Sequence, residues 1–358
     1  MHIALLANTA WLDEEMAALR QLVVGLIDEH VTLTQVVPEL IPPEDTSPFA
    51  HRLDWSETRW RFLNRRRLDA LHTQLAAAKV DLIHALDGRL WPAAIDLADR
   101  LDLPLLLSAS SAHDLAAASR LAGRLRPETT ALTAATDPLA SALRTRVPEA
   151  VPVHLVPPGV HCLEPSPRPD DRPLCAVITG SGRHDAYMQA ILEALARVTR
   201  RDPQAQFFFD GQTSDQHRIW KAADKLGLLR HVSLVPRKLG NRDLLLRTDA
   251  LLMPQPLGKA RSLTLQAMAR GLPVLATEDP WLDYLVDGET AWMLSHSEPT
   301  GWHDRIVHLL DHPDASTALG HGSRAWVNEH RPVTRQIDAL LDLYRRYTGQ
   351  TIPLAQAG

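Results

Sequence analysis

Lys259-Ala260-Arg261-Ser262 stands immediately before a short apolar helix-like run, LTLQAMAR. A helix N-terminus points unpaired backbone N–H groups and the positive end of the peptide dipole at whatever precedes it. Two cations beside such an end suit an anion, and a phosphate-bearing ligand is the chemistry they would serve. Ser262 has the residue type of an N-cap. Solvated loop cations of no function share the same appearance, so both readings of Lys259 and Arg261 stand. In the first half of the chain, His84 and Asp87 sit at the end of a strand-like run. Trp11, Asp13 and Glu14 follow the first strand, where they could line a pocket. Acidic residues at a helix start also serve simply as caps.

The elements that must carry these residues alternate along the whole chain. HIALLA, VDLIHA, LPLLLSA, TTALTA and VHLVPP read as strands of a first half, and LCAVITG, AQFFFDG, HVSLVP, DALLMP and PVLAT as strands of a second. Helix-like segments separate them, which is the pattern of a parallel sheet covered by helices. Asp13 and its acidic neighbours are expected to open the first helix, whose Leu19, Leu22, Val23, Leu26 and Ile27 recur at helical spacing. The helix after Ser262 is expected to stop at Gly271, with Pro273 just beyond. The Pro-rich, charged stretch CLEPSPRPDDRP suits a linker. The expected organisation is therefore residues 1–160, a linker over 161–173, a second domain over 174–332, and a final segment, 333–358, whose helix returns to the first domain.

A chain of 358 residues is comfortable for two such domains. Its 45% hydrophobic and 23% charged residues describe a water-soluble globular protein, and no run approaches the roughly 20 apolar residues of a membrane span. MHIALLANTA lacks the basic start and long apolar run of a signal peptide, so a cytoplasmic location is expected. Cys162 and Cys175 have no metal-ligand spacing. A net charge of −5 argues against nucleic acid as a partner. Arg59-Trp60-Arg61-Phe62-Leu63-Asn64-Arg65-Arg66-Arg67 is basic with aromatic interleaving, a pattern that could rest on an anionic membrane surface; Asp54, Glu57 and Asp69 dilute it, and a solvated helix face is the competing reading.

The stretch MPQPLGKARSLTLQAMARGLPVLATEDPWLDYLVDGETAWML closely resembles the nucleotide-sugar segment of the family-4 retaining glycosyltransferases. Gln266 to Thr277 (QAMARGLPVLAT) follows that family's Glu-Ala-Met-Ala-x-Gly-Leu-Pro-Val-Val-Ala-Thr, and Asp287-Gly288-Glu289-Thr290 matches its Asp-Gly-x-Thr turn. His84-Ala85-Leu86-Asp87 and Val156-Pro157-Pro158-Gly159-Val160 resemble two further family segments, less closely. The resemblance implies an α/β protein of GT-B fold, two Rossmann-like parallel-sheet domains facing across a cleft. It implies hexosyl transfer from a nucleotide sugar to an acceptor with retention of configuration, without metal, cofactor or protein nucleophile. The protein's work would then be positioning and stabilising the leaving diphosphate.

Against that pattern the charged donor residues are changed. Ser181 and Ala186 fall where the family has an Arg and a Lys; Gly258 and Gln266 fall where it has two acids. Losing two cations beside a diphosphate removes pairs worth about 4 kcal/mol each near a surface, whereas Gln266 keeps an acceptor for a ribose hydroxyl. A rewired site has Lys259, Arg261 and Arg183 as replacements, with Arg237 and Lys238 on the nucleotide side. His113 and Asp87 are the catalytic candidates by resemblance, Ser110 competing with His113 for its alignment position, and Trp11 and His84 belong to the acceptor side. Two functions follow: a transferase with a rewired phosphate site, or an inactive relative that binds a ligand or a protein partner as a scaffold or regulatory subunit.

Overall fold

The computed structural model describes residues 1–55, 61–162, 173–181, 183–210, 216–235, 241–294 and 298–349. The chain divides into two compact units, Met1–Pro158 with Val333–Gly358, and Gly159–Pro332.

The first unit is built on strands β1 (His2–Leu6), β2 (Thr32–Val37), β3 (His51–Asp54), β4 (Leu82–Ala85), β5 (Leu105–Ala109), β6 (Thr130–Ala134) and β7 (Val153–Leu155). They form an all-parallel sheet of order β3-β2-β1-β4-β5-β6-β7. The central strands β1, β4 and β5 are almost wholly buried and rich in Leu, Ile and Ala, as parallel strands covered on both faces are, whereas the edge strands β3 and β7 are partly exposed. Helices α1 (Thr9–Asp28), α2 (Arg61–Ala78), α3 (Trp91–Leu101), α4 (Asp114–Leu121) and α5 (Asp137–Arg144) lie between them.

The second unit carries β8 (Cys175–Ile178), β9 (Gln206–Asp210), β10 (Val232–Val235), β11 (Ala250–Met253), β12 (Val274–Thr277) and β13 (Trp292–Leu294), again all parallel, in the order β10-β9-β8-β11-β12-β13. Its helices are α6 (Ala186–Arg201), α7 (Gln216–Lys225), α8 (Asn241–Leu246), α9 (Ser262–Ala269), α10 (Pro299–Asp311) and α11 (Pro313–His330). Ile178, Leu192, Phe207, Leu252, Leu275 and Trp302 are part of its core. A last helix, α12 (Val333–Thr348), belongs to the first unit. Ile337 of α12 packs so closely on α1 that a Cβ added to Gly25 would lie 2.8 Å from it.

Each sheet runs outward from its first strand and then returns to that strand's other side. The strand order therefore reverses between β1 and β4 and between β8 and β11, and these are the crevices where parallel sheets bind ligands.

Two helix starts differ from expectation. Helix α1 begins at Thr9, before Asp13, because the Asn8 carboxamide oxygen accepts from the Trp11 N–H at 2.8 Å and so caps it. Asp13 and Glu14 fall in the second turn. Ser262 is the first residue of α9 and not its cap; extended Arg261 holds the N-cap position without a side-chain cap bond. The other end of α9 is as expected. Gly271 is left-handed (φ 72°), its N–H reaches Met268 O at 2.9 Å, and the Leu272 N–H reaches Ala267 O at 3.0 Å, a Schellman closure. Among the described residues no helix is long and apolar enough to cross a membrane.

The Gly271 carbonyl faces Gly320 of α11, and a Cβ on residue 320 would overlap that oxygen. Gly320→Ala is therefore expected to destabilise the second unit by about 1–3 kcal/mol, although alanine favours helices, and urea denaturation will measure it.

Candidate functional site

In the second unit, the loops following β8 and β11 meet at the reversal of strand order, and one side chain joins them. Gln255, only 5% exposed, follows β11. Its Oε1 accepts from the Ser181 N–H at 2.6 Å, while its Nε2 donates to Asp185 Oδ2 at 2.6 Å and to the Arg183 carbonyl at 3.3 Å. A Cβ on Gly180 would stand 2.6 Å from Gln255 Oε1, so glycine is what lets the loop approach. Asp185 uses its other oxygen to cap α6, accepting from the Met188 N–H at 2.9 Å. Ser181 Oγ accepts from the Arg183 N–H at 3.2 Å. The Arg183 side chain is exposed above this braced loop, and Ala186, at the resembled family's lysine position, is the first residue of α6.

On the β11 side, Gly258 is left-handed (φ 60°), a conformation that glycine adopts most cheaply. Its N–H donates to Asp279 Oδ2 at 2.6 Å, so a buried carboxylate from the loop after β12 sits at this point. Lys259 is half-buried and Ser262 is buried at the first turn of α9. Gln266, one turn further on, is half-buried, and its Oε1 has no hydrogen-bond partner among the described residues.

Arg261 is turned inward. Its guanidinium donates to Asp210 Oδ2 at 2.7 Å, and the two side chains are 2% and 1% exposed. Asp210 ends β9 and Arg261 follows β11, so the pair spans the carboxyl end of β8, which lies between those strands. The sequence reading of Arg261 as a cation presented to a ligand is corrected to this extent: in the structure its charge is taken by Asp210. Arg237 and Lys238 lie outside the described residues, as do Arg59 and Trp60 of the basic segment.

The first unit has its own bridge at the reversal between β1 and β4. Asn8 Nδ2 donates to Asp87 Oδ1 at 2.7 Å, and the Arg89 N–H reaches the same oxygen at 2.8 Å. Beside it, Asp114 Oδ2 accepts from the Ser110 and Ser111 N–H groups, each at 2.9 Å. Burial raises the Asp114 carboxyl above its usual range, and the neighbouring Asp87 charge adds to this; the serine hydrogen bonds oppose it. His113 is exposed just ahead of α4 and caps nothing with its side chain. Trp11 is buried in α1.

His84, placed on the acceptor side by resemblance, is 1% exposed. Its Nδ1 lies 2.7 Å from Tyr344 Oη and its Nε2 2.7 Å from Ser108 Oγ, which is 2.7 Å from Thr133 Oγ1. This chain of hydrogen bonds fastens α12 to β4, β5 and β6. The ring meets protein on both nitrogens, so His84 is a core residue, and burial pushes its pKa down to about 3.

Residues 164–326 match the family model described as Glycosyl transferases group 1. No curated protein sequence matches the chain. Among solved structures, sucrose-phosphate synthase from Thermosynechococcus elongatus is similar with a TM-score of 0.78 at 16% identity, over 98% of this chain and 100% of that one. The Anabaena protein HepE, in complex with UDP-glucose, is similar with a TM-score of 0.78 at 13% identity, over 97% of this chain and 100% of that one. A glycosyltransferase from Rickettsia africae gives a TM-score of 0.73 at 11% identity, over 98% and 99%. At such identities the likeness shows the fold: α/β, with the two parallel sheets of GT-B proteins.

Two stability effects follow from the buried groups. Asp210→Ala leaves the Arg261 charge without its carboxylate and should cost the second unit about 3–5 kcal/mol in urea denaturation, against much less for removal of both charges together. His84 has a folded pKa of about 3 against an ordinary 6.5, so below pH 6.5 the unfolded chain takes up the proton first. Its contribution is constant above pH 6.5 and falls by up to about 1.4 kcal/mol per pH unit as pH drops from there toward 3. His84→Gln should flatten that slope between pH 6.5 and 4.5 in urea midpoints, and an unaltered slope would refute the assignment.

Proposed function

Residues 164–326 make the second unit a member of the group 1 glycosyl transferases, and from that premise we propose that the protein binds a nucleotide sugar in the β8/β11 crevice and transfers its hexosyl group with retention of configuration. The observation that carries this reading is the Gln266 Oε1, a buried acceptor without a partner among the described residues, on the helix that opens into the crevice. An acceptor held so is costly unless a ligand hydroxyl satisfies it, and a ribose hydroxyl is the fitting donor. UDP is the first nucleotide to try, since HepE is similar in fold and was obtained with UDP-glucose.

The diphosphate is assigned to the first turn of α9, where the Ser262 and Leu263 N–H groups and the helix dipole favour negative charge. Lys259 and Arg183 supply cationic side chains on the two sides of the crevice, in place of the pair replaced by Ser181 and Ala186. Gly258 lets the backbone approach the donor, and Gln255 holds Ser181 and Arg183 in place. With no protein nucleophile required, the catalytic contribution is stabilisation of charge as the diphosphate leaves and the acceptor hydroxyl attacks the same sugar face. Asp87, after β4, and the exposed His113, just ahead of α4, are the side chains proposed to meet the acceptor.

A second reading is favoured by one observation, the neutralisation of Arg261 by Asp210. With Ser181 and Ala186 also uncharged, the crevice holds less positive charge than a diphosphate-leaving site calls for. The protein would then bind the nucleotide sugar, or a protein partner, without turning it over.

Calorimetric titration with UDP, GDP, ADP and their sugar conjugates tests the binding. Gln266→Ala should weaken the preferred nucleotide about fivefold, the loss of one hydrogen bond, while Gln266→Glu retains it. Absence of binding up to millimolar concentrations would sink both nucleotide readings. A donor that binds and is never cleaved, with any acceptor or with water, would select the non-catalytic one.

A further inference from the structure

We infer that Asp210 is a resident anion that competes with a ligand's diphosphate for Arg261, and so sets how tightly the crevice holds phosphate. The inference deepens the function proposed above and rests on it for the diphosphate's position at α9.

Four observations converge. Arg261 is the N-cap of α9, at the positive end of the helix whose first turn is assigned the diphosphate. Its guanidinium is held by Asp210 at 2.7 Å, both side chains being almost wholly buried. The carboxylate arrives from another strand, 51 residues away in sequence, across the end of β8. The loops around the pair are braced: Gln255 ties the Ser181–Asp185 segment, and Asp279 ties Gly258. A negative oxygen therefore already occupies the guanidinium of the N-cap residue of α9.

A diphosphate offers more charge than one carboxylate and can engage a guanidinium through two oxygens. To use Arg261 it must displace Asp210 and leave that carboxylate uncompensated in a buried place. The observed affinity is then the difference between these two effects. Asp210 thus acts as a specificity-determining residue: it admits ligands whose charge outweighs its own and holds Arg261 neutralised otherwise.

Inorganic pyrophosphate is the probe, because its binding does not depend on the nucleoside. Calorimetry on the full chain compares wild type, Asp210→Asn, and the double variant Asp210→Asn/Arg261→Gln, each checked by thermal melting. Asp210→Asn should bind pyrophosphate about tenfold or more tightly than wild type, and the second substitution should abolish that gain. Uridine, which carries no phosphate, should bind all three proteins alike; a uridine gain equal to that of pyrophosphate would mean general loosening and overturn the inference. Unchanged or weaker pyrophosphate binding by a folded Asp210→Asn protein overturns it too, while leaving the nucleoside reading to Gln266. Conversely, UDP, GDP and ADP binding wild type no better than pyrophosphate would end the nucleoside reading, and a tenfold pyrophosphate gain would still uphold the resident anion. Should Asp210→Asn fail to fold, Asp210→Ser, which removes the same carboxylate, is read against wild type by the same two outcomes: about a tenfold gain in pyrophosphate affinity upholds the competition, and unchanged or weaker binding overturns it.

Discussion

A parallel sheet whose strand order reverses leaves two adjacent strands with connections that depart in opposite directions, and the backbone between their carboxyl ends has no neighbouring strand to complete its hydrogen bonds. The two bridged loop pairs of this protein lie at that reversal. In both units an amide side chain answers it. Asn8 joins the loop after β1 to Asp87 after β4, and Gln255 joins the loop after β11 to Ser181, Arg183 and Asp185 after β8. An amide is suited to this because it donates and accepts at once, so it can satisfy a backbone N–H and a carboxylate from one position. The consequence is a pair of loops whose conformation is set before any ligand arrives, which is what electrostatic catalysis and selective binding require.

The same crevice shows how charge is handled when little of it is left unpaired. Asp185 divides its oxygens between a helix cap and Gln255; Asp279 holds the left-handed Gly258; Asp210 holds Arg261. Each carboxylate is committed to backbone, to an amide or to a cation, while the Arg183 side chain is exposed. Such a site differs from one built on two open cations. On the function proposed above, its affinity for phosphate would depend on helix N–H groups and on exchange within an internal ion pair, both of which are sensitive to geometry over a few tenths of an ångström.

Much of the fold was legible from residue order. Alternating apolar runs and helical periodicity foretold parallel sheets, and the Gly271 closure of α9 with Pro273 beyond it was readable because it is local chemistry, a left-handed residue that only glycine adopts cheaply. The start of the same helix differs from what residue type suggests. Ser262 has a capping side chain, yet the chain turns one residue earlier and gives the cap position to Arg261, whose side chain is drawn toward Asp210. Asp13 and Glu14 point to a later start for α1 than the structure has, where Asn8 is the cap; its carboxamide serves the helix and the crevice together. Asp279 and Gln255 carried no sequence signal at all, since neither residue type nor spacing marks a side chain as a brace.

The sequence by itself determined the class of fold, the helix that opens into the crevice, and the presence of an acceptor at Gln266, all of which depend on neighbours within a turn or a strand. Only the tertiary structure decided which charges remain available. The contacts that do so join residues 51, 74 and 260 positions apart: Arg261 with Asp210, Gln255 with Ser181, His84 with Tyr344. Strand order brings those residues together, and burial then makes their pairing strong or their isolation costly. A cation's type and position in the sequence are silent on whether its partner will be a ligand or another part of the chain. Arg261 and His84 both looked like groups facing a substrate, and both are held by the fold itself.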